Sequence, residues 1–243
     1  MNKKNEIEII ALIFKSIDYL DLIYNQLKSD NCKVDGWDVK LRIISNDGSL
    51  EIIEKLKTLD IPHTIYHDKN KNDYYLNRVY RCWNYAGLTS KYENICFVNS
   101  DMVFTKNWLN NLLKYHDGIN IPCSRLIESG KLHSGKYAIE FNCGKTPKTV
   151  NYNLWEKISG EFKSNEIKDG GLFMPCILNT KRFIESGMYP EGNIYDNGVG
   201  RLGNFLKSGD AYYFEFLEKK YNMKHVTVFN SLVYHIQEGE KDS

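Results

Sequence analysis

The stretch "ICFVNSDMVF", residues 95–104, breaks an apolar run with Asn99, Ser100 and Asp101. A carboxylate inside a buried strand is too costly to desolvate without a partner, so Asp101 must stand where a strand ends. There it can face a crevice and bind a cation, or it can serve as a turn or N-cap residue before the next helix; position alone leaves the two equal. A second stretch, "LRIISNDGS" (41–49), ends in Asn46, Asp47, Gly48 and Ser49. Asn and Asp recognise a base or ribose by directed hydrogen bonds, and glycine lets a backbone approach closely. The same four residues also make an ordinary turn followed by an N-cap serine.

Both stretches need elements that bring them to one place. Apolar runs predict strands over 6–14, 38–45, 63–68 and 94–99. Between and after them, helices are predicted over 16–30, 49–59, 73–88 and 105–116; the first shows helical spacing at Ile17, Leu20, Ile23, Tyr24 and Leu27. Strands alternating with helices call for an α/β fold with a mainly parallel sheet and right-handed crossovers. Ligands in such sheets bind beyond the carboxyl ends of the strands, where both polar stretches fall. The second half is less regular. Strands are expected over 118–123, 136–142 and 170–179, with a loop between the first two and a helix at 180–186. A Gly- and Asn-rich loop follows at 188–204, then a helix at 209–222 and one or two strands within 224–236. The polar residues 237–243 are expected to fray. The whole chain, 1–243, reads as a single domain, with a nucleotide-binding half over about 6–104 and an acceptor-binding, catalytic half over about 105–236.

Composition narrows the classes. With 243 residues, 42% of them hydrophobic, the chain can bury a sizeable core. A formal net charge of +1 supplies no broad field for nucleic acid or a membrane surface, so an anionic ligand must be held locally. None of the six cysteines forms a C-x-x-C pair, which reads as buried free thiols in a reducing compartment rather than a zinc site. Glu6 and Glu8 interrupt the first apolar run, so it reads as a strand and not a signal peptide. No run is long enough for a transmembrane segment, and no N-x-[ST] sequon occurs. A cytoplasmic setting is expected, with peripheral membrane association left open.

Taken in order, the motifs resemble those of the GT-A-fold glycosyltransferases, especially the large family 2 type. "NDGS" at the second strand, "VNSDM" at the fourth, "GMYPEGNIY" (187–195) and "SGDAYYFEFLEKKYNMKHVTVFNSLVYHI" (208–236) follow one another as that family's motifs do. The resemblance spans roughly residues 6–236. It implies a nucleotide-sugar donor, with Asn46 and Asp47 at its nucleoside. Asn99 and Asp101 stand at the two acidic positions of a DXD-like metal motif, with Ser100 between them in the same donor-binding turn. Asp101 would hold Mn²⁺ or Mg²⁺. Asn99 lacks the usual charge and is better suited to a ribose contact. His235 matches a histidine that completes the metal site in many relatives; a lone histidine is otherwise more often a core or surface residue. Asp210 matches the acidic motif that supplies the base of inverting relatives, although the usual Glu-Asp pair is reduced to one carboxylate that could equally cap the helix. Glu215, one turn on, is the reserve base.

Arg201 and Lys207 flank the glycine-rich loop and could hold phosphates, although solvated loop charges are commoner. Trp83, Trp108 and Trp155 could stack on a sugar, the first two being better placed for a core. The expected function is a metal-dependent, inverting glycosyltransferase acting on a glycan, glycolipid or other hydroxyl acceptor, with no nucleic-acid partner. Two alternatives stand beside it. A sugar-phosphate nucleotidyltransferase would carry a Gly- and Arg-rich loop after the first strand, where this chain has "FKSIDYLDL". A catalytically degenerate sugar-nucleotide-binding module would explain Asn99 and the reduced acidic motif.

Overall fold

A computed structural model describes residues 5–242 of the chain. The first half follows the alternation of its sequence. It runs β1 (Asn5–Ile13), α1 (Ile17–Lys28), β2 (Trp37–Asn46), α2 (Leu50–Thr58), β3 (His63–Tyr66), α3 (Tyr75–Thr89) and β4 (Asn94–Asn99). The second half contains β5 (Met102–Phe104), α4 (Trp108–Leu113), β6 (Asn120–Glu128), β7 (Ile139–Glu140), α5 (Tyr152–Phe162), β8 (Ile167–Asp169), β9 (Cys176–Asn179) and α6 (Thr180–Glu185). It continues with β10 (Ile194–Tyr195), β11 (Gly198–Val199), β12 (Phe205–Lys207), α7 (Gly209–Tyr221) and β13 (Lys224–His235).

Among the described residues, ten strands form one sheet in the order β3-β2-β1-β4-β9-β6-β13-β5, with β7 on β6 and β8 on β13. The β3-β2-β1-β4 portion is parallel throughout. β9 enters antiparallel between β4 and β6. The fold is therefore the expected mixed, mainly parallel α/β sheet flanked by helices. Alternating residues of β1 go to opposite faces: Ile7, Ile9, Ala11 and Ile13 join a core shared with α1, α2, α4 and α5. Ile10 and Leu12 join a second core with α3, α6 and α7. Burial on both faces is why this strand reads as an unbroken apolar run.

The second half departs from expectation where pairing, not pattern, decides. β5 was hidden inside a polar-to-apolar junction, and β6 runs on to Glu128 through residues expected to be loop. The predicted 136–142 and 170–179 strands shrink to β7 and β9. The long loop folds partly into a small antiparallel sheet, β11-β10-β12. α5 is a helix beyond those expected from the sequence; Asn151 caps it by accepting from the Leu154 amide at 3.0 Å, and Trp155 and Ile158 mark its buried face. Trp83, Trp108 and Trp155 are all buried against Phe97, Phe104 and Tyr234 respectively, so none presents a ring to a sugar. All six cysteines are free and buried. Among the described residues no helix is long and apolar enough to cross a membrane.

Candidate active site

Asp101 does not cap a helix: α4 begins only at Trp108, and residues 100–101 form the turn between β4 and β5. Strand pairing then builds the site. β5 runs antiparallel to β13 with Met102 opposite His235, and β13 runs parallel to β6 with His235 beside Glu128. Asp101, one residue before Met102, is thereby brought to the imidazole. His235 Nε2 lies 3.2 Å from Asp101 Oδ2, and its Nδ1 lies 3.1 Å from Glu128 Oε1. Burial alone favours a neutral imidazole, but the two carboxylates outweigh it and push His235 up to about 10. Burial likewise pushes the Asp101 carboxyl up; the imidazolium and the Gly239 amide more than offset it and hold Asp101 below its usual range. Glu128 is held low in the same way, against its own burial.

This pair fits a divalent cation as a partial ligand set. It offers one carboxylate oxygen and one imidazole nitrogen, and the second ring nitrogen is tied to a carboxylate, as it commonly is in metal-bound histidines. Among the described residues no group of three or more His, Cys, Asp and Glu could hold a metal alone. A cation here would need oxygens from its ligand or from water.

The pair stands at the wall of a cavity of about 500 Å³ over the carboxyl ends of β1, β2 and β4. Asn46, Asn99, Ser100, Asp101 and His235 all line it, so five of the residues singled out in the sequence share one space. The first turn and a half of α3 supplies Tyr75, Leu76, Arg78 and Val79 to the facing wall. Asn46 is 3% exposed, and its Oδ1 has no hydrogen-bond partner. A buried amide oxygen left unpaired is costly, which marks it as ready to accept from a ligand. A smaller cavity of about 360 Å³ opens near Asn5, Asn94 and Asn179, at the opposite end of the sheet.

Other candidates lie elsewhere. Asp47 does not line the cavity; its carboxylate is turned to Arg78 Nη2 at 2.8 Å and accepts from the Asp68 amide at 3.0 Å. It acts on the cavity through Arg78, whose guanidinium lies 5.4 Å from the Phe14 ring centre. Gly48 serves the turn itself, because a Cβ there would meet Ser45 Oγ at 2.2 Å and the Phe14 carbonyl at 3.1 Å. Asp210 sits at the start of α7, with its amide donating to Tyr80 Oη at 3.1 Å, and is not part of the cavity lining. Burial pushes its carboxyl up, against hydrogen bonds from Ser208, the Ala211 amide and Tyr80. Glu215 is bound to Lys207 at 2.5 Å, which holds its carboxyl below the usual range. Arg201 is exposed in the β11–β12 loop and does not reach the cavity.

Glu128, Arg78 and Glu240 are site residues that the sequence reading passes over. Glu128 did carry a signal: like Asp101, it ends an apolar run, "NIPCSRLIE". Arg78 and Glu240 have no local signal, since their roles depend on partners far along the chain.

No protein-family profile matches this chain, and no curated protein matches it. Among solved structures it is similar to the crystal structure of GalNAc-T7 with UDP, GalNAc and Mn²⁺, with a TM-score of 0.58 and 11% identity. The match covers 97% of this chain and 44% of that one, so the chain spans less than half the length of that neighbour. The likeness is one of fold, which is GT-A-like.

Proposed function

We propose that this chain is a metal-dependent, inverting glycosyltransferase that moves a sugar from a nucleotide-sugar donor to the hydroxyl of a glycan, glycolipid or other acceptor. The observation that carries the reading is the meeting of Asp101 and His235 at 3.2 Å, in a cavity that Asn46 and Asn99 also line. The neighbour of the same fold, crystallised with UDP, GalNAc and Mn²⁺, supports it.

In this reading Asp101 and His235 hold Mn²⁺ or Mg²⁺, and Glu128 fixes the imidazole by accepting its Nδ1 proton. When bound, the cation would stabilise the departing diphosphate as a Lewis acid. Asn46 and Asn99 offer side-chain amides to the ribose or base, and Asp47 supports that pocket by orienting Arg78. Asp210 is the preferred base over Glu215: its raised carboxyl suits proton acceptance from an acceptor hydroxyl, whereas Glu215 is neutralised by Lys207.

The test is calorimetric titration and thermal shift with UDP, GDP and dTDP, with and without Mn²⁺, on the wild type and Asp101→Ala. Metal-dependent binding in the wild type that vanishes in the variant is expected. Equal metal-dependent binding in both would refute the assignment. A second reading, a sugar-nucleotide-binding module without turnover, is favoured by the absence of Asp210 from the cavity lining. Absence of nucleoside diphosphate release from any nucleotide-sugar that binds would select it.

A further inference from the structure

The tail expected to fray, 237–243, is described as far as residue 242, and there it folds back, with a short 3-10 helix over Gly239–Asp242; Ser243 lies outside the described residues. After β13 the chain turns back over its own cavity through three successive residues with positive φ: Gln237 at 62°, Glu238 at 52° and Gly239 at 22°. Two of these are not glycine, and L-residues adopt this region reluctantly. The turn is held at both ends. Gln237 Oε1 accepts from the amides of Gly130, Lys131 and Leu132 at 3.1, 3.0 and 3.2 Å. Gly239 passes so close to Asp101 that a Cβ would stand 3.1 Å from its Oδ2.

The segment ends by inserting the Glu240 carboxylate between β1 and α1. Its Oε1 accepts from the Phe14 amide at 2.9 Å and from Ser100 Oγ at 2.9 Å. Its Oε2 accepts from the Lys15 amide at 2.5 Å and the Ser16 amide at 2.8 Å. Three consecutive amides of the β1–α1 loop, ending at the N-cap residue of α1, with a hydroxyl from the β4–β5 turn, make a concave site for an oxyanion. Ser16 is in the N-cap position of α1, yet its side chain makes no cap bond. The Glu240 carboxylate, from the far end of the described chain, instead binds the amides that precede the helix. Asn46, whose buried Oδ1 has no partner, lines the same cavity, so the space also calls for a ligand that brings a hydrogen-bond donor.

We propose that Glu240 is a built-in occupant of an anion site in this cavity, and that a phosphate group of the donor takes the same amides by displacing it. The segment 237–240 is then a strap that lowers apparent donor affinity until it is released. This rests on the nucleotide-sugar reading for the identity of the anion, while the anion site itself can be tested without it. Carboxylate and phosphate oxygens both accept charge-assisted bonds from clustered amides, so the exchange conserves the bonding of Phe14, Lys15, Ser16 and Ser100. A strap that fills the site most of the time reduces affinity by the fraction of molecules in which it is open.

The experiment measures affinity for inorganic diphosphate, in EDTA so that no cation intervenes, and for UDP, GDP and dTDP with Mn²⁺. It compares the wild type with Glu240→Gln and Glu240→Ala, and hydrogen exchange is followed in the wild type. Expected are affinities about tenfold or more tighter in both variants. In the wild type, ligand should protect amides 14–16 and speed exchange over 237–240. Unchanged or weaker affinity in the folded variants would overturn the strap, as would slower exchange over 237–240 on ligand binding, which would mean closure and not displacement. Tighter diphosphate binding with no nucleotide binding would keep the anion site and reject the donor reading. Nucleotide binding indifferent to Glu240 would do the reverse. No binding by any protein to any probe would reject both.

Discussion

His235 Nδ1 faces Glu128 Oε1 at 3.1 Å while Nε2 faces Asp101 at 3.2 Å, so the imidazole is gripped from both sides, by strand β6 and by the turn before β5. In the proposed metal site Glu128 would act on a cation only through the histidine. Glu128→Gln should weaken Mn²⁺ affinity by about 10–100-fold while preserving both direct ligands. Titration of Mn²⁺ in the presence of a saturating nucleoside diphosphate measures this, with the melting temperature recorded separately.

The acid assignment separates by substitution. Asp210→Asn should lower kcat by about 10²–10⁴-fold with nucleotide affinity unchanged. Glu215→Gln should leave kcat near wild type, because its carboxylate is already engaged by Lys207 and Lys219. Steady-state turnover with the donor identified by binding decides between them. The opposite pattern would transfer the role to Glu215.

The floor of the α3 wall depends on a buried charge cluster. Arg81 pairs with Asp68 at 2.8 Å and with Asp73 at 2.8 Å, and the Asp68 side chain is fully buried. Arg81→Ala leaves that carboxylate with the Asn70 amide and the Tyr66 hydroxyl but no cation, and should cost about 3–5 kcal/mol in denaturant unfolding. Loss of less than about 1 kcal/mol would mean that water or another cation reaches Asp68.

Acid should destabilise the fold through His225. Burial against Phe173 and Phe214 lowers it to about 4, while its Nε2 donates to the Leu172 carbonyl at 3.1 Å. Its folded pKa lies below the unfolded value of about 6.5, so the unfolded chain takes up the proton first as pH falls. The contribution is complete above pH 6.5 and is lost progressively down to about pH 4, by an amount on the order of 3 kcal/mol. His225→Gln should flatten that part of the stability curve, as measured by urea unfolding at several pH values.

Much of this was legible before any coordinates. The alternation of apolar and helical spacing in the first half is local, and β4 falls at its predicted bounds, Asn94–Asn99. Asn46, Asn99 and Asp101 could be found because each ends an apolar run, and desolvation forbids a polar group deeper in a strand. In the second half β5 has only three residues, too few to show a period, and the β6 run was cut short by the polar residues Ser124 and Arg125. Those hydroxyl and guanidinium groups are satisfied by Ser231, by the Tyr137 carbonyl and by other distant partners that no local pattern reveals.

The sequence by itself determined the class of fold and the strand ends that would carry polar side chains, because both follow from periodicity and the cost of burying charge. Only the tertiary structure decided which of those groups meet. Registers between β5, β13 and β6 brought Asp101, His235 and Glu128 together, while the chain path left Asp210 behind Tyr80 and folded Glu240 onto the loop before the first helix. Strand register and chain reversal are set by pairing between distant segments, and that information is spread over the whole core and not held at the residues it positions.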